Sequence, residues 1–196
     1  KSYNGRYLDR LTHERLKSLN MLVRSSRFGG EKSDITLIQG IGGAAASGGT
    51  HVSGGCYDIS AYNQKNRVYG GRLLGGADWY RPTLPGVWQA HIHGVTAGVG
   101  YAAPAARRQV SAYYAGRNGL ANNGTDPGPR LATKPLFVAP WESRGKRGVY
   151  YAKKDIVLRK EGSTKTASLG TLKKNSVFTV IAVVNVGGVL WAMNVD

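Results

Sequence analysis

The sequence predicts an α+β fold: a mixed domain over residues 1–135, a linker over 136–148 and a small all-β domain over 149–196. Three observations carry this. Apolar residues recur at helical spacing near the N-terminus, at Leu8, Leu11, Leu16, Leu19 and Val23, with Arg and Lys between them. Short β-prone segments bearing histidine follow. From Gly148 onward the apolar runs are short and split by Gly, Asn, Ser and Lys turns.

In chain order, the first helix is capped at Asp9 or Thr12 and ends before Gly29-Gly30. Residues 34–39 (Asp-Ile-Thr-Leu-Ile-Gln) read as a short buried strand. The Gly- and Ala-rich segment 40–49 loops toward His51; it lacks the Gly-Lys-Ser/Thr ending of a phosphate loop, which excludes a P-loop nucleotide site. Residues 56–60 form a strand carrying Asp58, and 63–74 a short helix. His91-Ile92-His93 begins a strand that runs on through Val95–Val99. Pro104 opens a helix that Gly116 stops. The Gly-, Asn- and Pro-rich stretch 116–140 leads into the linker. Strands are then expected at 150–152, 156–159, 167–172, 176–183 and 189–193.

Three of the four histidines fall in two compact groups, Thr50-His51-Val52-Ser53-Gly54-Gly55-Cys56-Tyr57-Asp58 and Ala90-His91-Ile92-His93. On a strand His91 and His93 point to one face and Ile92 to the other. Gly54 and Gly55 permit a reversal that brings His51 and Asp58 together. Imidazole and carboxylate suit Zn2+, and three protein ligands leave an open, catalytic position. His51, Asp58 and one of His91 and His93 would supply them. Zinc there would acidify bound water and polarise a carbonyl, as amide hydrolysis requires. Cys56 shares the Asp58 face, as a thiolate ligand or as a small buried thiol.

His51-x-x-Gly54-x-Cys56-x-Asp58 resembles the H-x-x-G-x-A-x-D signature of the M15 zinc peptidases, and His91-Ile92-His93 resembles their H-x-H element. That family includes D-alanyl-D-alanine carboxypeptidases, phage L-alanyl-D-glutamate endopeptidases and the hedgehog zinc domain. The resemblance spans about residues 1–130 and implies a hedgehog/DD-peptidase-like α+β zinc domain. It implies His51, Asp58 and His93 as ligands, with His91 beside the metal as a catalytic group. The residues depart from the family where it carries a general-base Glu, at Ala90 or at Val87, and Gln39–Gly43 lacks its usual Arg. Asp78 and Gln89 are the nearest candidates to orient or replace the base. Trp79, Tyr80 and Trp88 would wall the substrate groove.

The C-terminal region resembles a bacterial SH3-like (SH3b) module, through Val157-Leu158-Arg159, the turn Gly170-Thr171-Leu172-Lys173-Lys174-Asn175-Ser176 and a final Gly-x-x-Trp strand ending at Trp191. The resemblance implies a small barrel that binds the cell wall, with Tyr150 and Tyr151 as stacking residues. The two resemblances together imply a peptidoglycan peptidase, a wall lysin of bacterial or phage origin, in which one domain cuts and the other raises local concentration. The alternative is a wall- or virion-associated binding protein with a degenerate metal site.

The formal net charge of +16 favours an anionic partner, and both parts of the chain contribute to it. Peptidoglycan and anionic wall polymers fit. Nucleic acid is the lesser expectation, because no helix-turn-helix, zinc finger or RNP motif accompanies the charge. No apolar run is long enough to span a bilayer, and the expected place of action is the extracellular cell wall or a phage particle. The start at Lys1 without a signal peptide suggests a processed form or a fragment.

Overall fold

The computed structural model describes residues 1–3, 5–43 and 45–195. Asn4 and Asp196, in the two predicted domains, and Ala44, in the predicted 40–49 loop, lie outside the described residues. The chain opens with a hairpin of β1 (Ser2–Tyr3) and β2 (Arg6–Tyr7) and enters α1 (Arg10–Arg24). Then come β3 (Leu37–Gln39), β4 (Cys56–Ser60), α2 (Gln64–Leu73), β5 (Gly76–Arg81), β6 (His91–Thr96) and α3 (Pro104–Tyr114). The remaining strands are β7 (Leu136–Phe137), β8 (Gly148–Tyr151), β9 (Ile156–Arg159), β10 (Ser168–Leu172), β11 (Val177–Val186) and β12 (Val189–Asn194). Among the described residues, no helix is long and apolar enough to cross a membrane.

Asp9 caps α1, its Oδ1 accepting from the Thr12 amide at 2.9 Å. The helical stripe Leu16, Leu19, Leu22 and Val23 is buried, each such side chain stabilising the fold by about 1.5–3 kcal/mol. Immediately before this stripe lies Arg15, which is fully buried. Its guanidinium donates to Asp78 Oδ2 and to the Tyr57 hydroxyl, both at 2.7 Å. A buried Arg is tolerated here because its carboxylate partner is buried with it.

Strands β3-β4-β6-β5 form an antiparallel sheet in that order. Alternation gives it two faces. Leu37, Tyr57, Ile59 and Ile92 pack with α1 and α2. Cys56, Ala77, Trp79 and Val95 pack with α3 residues such as Ala106 and Tyr113. The register sets Asp58 opposite His93, and His93 opposite Trp79, so these three lie on the α3 face. Strand β5 had no counterpart among the expected strands.

The predicted SH3-like barrel is not formed. The C-terminal strands segregate into a separate β9–β10 hairpin and a four-stranded sheet, and neither sheet closes. The long β11 explains this. One of its edges pairs with β12, while β8 and the short β7 pair with successive parts of β11. Its central Ile181 and Ala182 are fully buried in the same cluster as the α1 leucines, and the Ser18 hydroxyl donates to the Ile181 carbonyl at 2.8 Å. The strand thus buries its centre on a helix, while Val180 and Val183 pack with Val138, Phe178 and Leu190 in a small separate cluster, and the fold stays an open α+β arrangement. Tyr150 and Tyr151 lie on β8 and are exposed.

Candidate metal centre

His51 arrives from the loop before β4, and the turn between it and Asp58 depends on glycine. Gly55 has φ +96°, and its amide donates to Asp9 Oδ2 at 2.7 Å. A side chain at Gly54 would collide with Tyr101 and Asp9. The helix cap and the ligand loop therefore share one carboxylate, which fixes the approach of His51 to the sheet.

His51 Nε2, Asp58 Oδ1 and His93 Nδ1 converge. The two His–Asp separations are 3.4 Å for His51 and 2.8 Å for His93, and the two imidazole nitrogens are 3.4 Å apart. All three residues are buried, and they form a group compatible with a metal ion. Donors about 2.1 Å from a tetrahedral zinc lie roughly 3.4 Å from one another. Two of the three edges meet that value, and the third is shorter.

The surrounding hydrogen bonds decide which nitrogens are bare. Gln109 Nε2 donates to the Gly119 carbonyl at 3.1 Å, which turns its Oε1 toward His93 Nε2 at 2.8 Å. An amide oxygen only accepts, so His93 Nε2 carries the hydrogen and Nδ1 is left with a lone pair. His51 Nδ1 faces the Gly40 carbonyl at 2.9 Å and donates to it, leaving Nε2 bare. Two imidazole lone pairs and a carboxylate oxygen thus meet without a hydrogen between them. That arrangement repels itself unless a cation occupies its centre.

His91 lies beside the group. Its Nδ1 donates to the Gln89 carbonyl at 2.7 Å, and its Nε2 is 4.0 Å from Asp58 Oδ1. Trp88 meets the His91 ring edge-on, with centroids 6.1 Å apart, and Trp79 stacks along His93 at 6.3 Å. A cleft of about 170 Å³ opens on the group, lined by Gln39, Arg81, Trp88, Gln109 and Leu120 besides the histidines and Asp58.

The other predicted positions divide. Gln89 is exposed and contributes its backbone carbonyl. Asp78 pairs with Gly94, one residue out of phase with His93, and so lies on the opposite face, bonded to Arg15 and Tyr57. Tyr80 also lies on that face, against the α1 core. Tyr150 and Tyr151 are not part of the cleft lining. Cys56 is fully buried in the α3-side core, and burial pushes its thiol up to about 12, so it stays protonated and outside the ligand group.

Two cleft residues were not singled out by their sequence context. Gln109 carries no local signal, because only the docking of α3 brings it to His93. Arg81 had one: Asp-Trp-Tyr-Arg read as a strand sets Trp79 and Arg81 on one face. Arg81 is buried, lies over the Trp79 ring at 5.0 Å and donates to the Asn118 carbonyl at 2.7 Å. Burial pulls its guanidinium down to about 10, and it remains charged at neutral pH.

No family model matches the chain, and the searches of curated proteins and of solved structures found no match.

Proposed function

We propose that this protein is a zinc-dependent hydrolase that cleaves an amide bond of the peptidoglycan peptide at the cell wall, as a lysin of bacterial or phage origin. The observation that carries the reading is the convergence of three hydrogen-free acceptors, His51 Nε2, Asp58 Oδ1 and His93 Nδ1, in a cleft. These three would hold zinc. Bound there, zinc would supply Lewis-acid polarisation of the scissile carbonyl and a water of lowered pKa.

The chain's own groups would do the rest. His91 keeps Nδ1 on the Gln89 carbonyl and turns Nε2 toward the Asp58 side, where it accepts the proton of the attacking water and returns it to the leaving amine. Once protonated, His91 gains the nearby Asp58 carboxylate as a stabilising charge. Gln109 holds the His93 ring, and Trp88 and Leu120 shield the cleft from water. The excess of positive charge would draw the protein to anionic wall polymers.

A second reading has an observation of its own. Among the described residues, Asp58 is the only acidic one lining the cleft, so no second carboxylate is found there to act as a base. The protein would then be a wall- or virion-associated binding protein whose metal is structural. Elemental analysis of wild type and His93→Ala, with release of peptides from purified wall, separates the readings. About one zinc per chain, lost in the variant, together with peptide release abolished by His91→Ala, is the expected result. Zinc without peptide release supports the binding protein, and no zinc after loading sinks both.

A further inference from the structure

We infer that Arg81 is the anion-recognition group of the cleft and binds a carboxylate of the substrate, so that the preferred ligand is a peptide bearing a free carboxylate close to the scissile amide.

The buried arginines of this chain form a series, and Arg81 breaks it. Arg15 pairs with Asp78 at 2.7 Å, Arg67 with Glu31 at 2.6 Å and Arg72 with Asp126 at 2.8 Å, all with both partners buried. Arg81, 5% exposed, has no carboxylate within 4.0 Å among the described residues. A guanidinium offers five N–H donors in a planar fork. Among the described residues only the Asn118 carbonyl accepts from it, at Nη2. None of its nitrogens is a fully occluded unpaired atom, so the remaining donors are open to the cleft that the side chain lines.

Burying a cation without a partner is costly, and a site that does so is completed by an anion that arrives. Asp58 and Asp126 reach Arg81 only as longer-range charges, and each has closer partners. The planar fork selects a carboxylate, which it can grip through two parallel hydrogen bonds. Position supports this: Arg81 pairs with His91 across β5 and β6, on the face that carries His93. A carboxylate held there sets the neighbouring amide over the His51–Asp58–His93 group. The inference draws on the amide-hydrolase reading only in taking the ligand to be a peptide.

The test is direct binding, by calorimetry, of acetyl-alanyl-alanine with a free carboxyl terminus and of its C-terminal amide, to metal-free and to zinc-loaded protein. Acetyl-glutamyl-alanine amide tests a side-chain carboxylate as the source. Wild type should prefer at least one of the acids over the neutral amide by roughly tenfold to a hundredfold, with or without metal. Arg81→Gln should erase the preference, and Arg81→Lys should keep part of it, since the charge survives without the fork. Equal binding of acids and amide by wild type overturns the inference, whatever the variants do. So does an acid preference that needs zinc and survives Arg81→Gln. Acid preference in a protein that binds no zinc or cuts no peptide leaves the Arg81 site standing and removes the hydrolase reading instead.

Discussion

Replacing Gln109 tests the assignment of lone pairs at the metal centre. In Gln109→Met the volume is nearly kept, but His93 Nε2 loses the acceptor it now holds at 2.8 Å. His93 is only 7% exposed, so water replaces that acceptor poorly. A buried donor left unpaired costs about 1–3 kcal/mol. The ring can escape this by moving its hydrogen to Nδ1, where Asp58 Oδ1 waits at 2.8 Å, and that blocks the nitrogen that would bind zinc. Either route weakens zinc binding by roughly tenfold to a hundredfold, the range seen when partners of ligating histidines are removed. The assay is competition against a chromophoric zinc chelator at fixed pH. Gln109→Glu should retain wild-type affinity or exceed it, because a carboxylate oxygen still accepts from Nε2. Affinity in Gln109→Met within twofold of wild type refutes the reasoning, because His93 would then not depend on Gln109 to present Nδ1.

The remaining predictions concern groups outside the ligand set. Asp78→Asn should lower stability by about 3–5 kcal/mol in a denaturant titration, because Arg15 loses the charge that balances it in the core. The folded variant should still bind one zinc, and loss of zinc from it at a temperature well below its midpoint would show that Asp78 serves the site. Cys56, whose buried thiol is held up to about 12, should resist an alkylating reagent at pH 8 in the native protein and react once the chain is unfolded. Rapid native labelling would show that the α3-side core opens readily.

Much of the local structure was legible from spacing alone. Leu16, Leu19 and Val23 predict α1, Pro104 and Gly116 bracket α3, and the strand at 56–60 was expected where β4 lies. Each depends on contacts within a few residues, which composition and periodicity report. His51, Asp58 and the His91/His93 pair were readable for the same reason: two short motifs, one with a glycine turn, hold the chemistry in compact pieces, while the choice of His93 over His91 came from the family resemblance. The predicted strand phase also placed Cys56 beside Asp58, but phase along one strand cannot say that α3 would bury that thiol in the core.

What the tertiary structure decided lies in pairings between distant segments. Asp78 is near the second histidine pair in sequence, yet a one-residue difference in register sends it through the sheet to Arg15. The C-terminal strands carry a pattern compatible with a barrel, but Ile181 finds a deeper apolar surface on α1, and the sheet stays open. Gln109 and Arg81 reach the cleft from a helix and a strand that meet only on folding. The residue types and short spacings of the chain determined which donors were present for a metal. Long-range packing, where burial energy outweighs local preference, determined which lone pairs face one another and which charge was left without a partner.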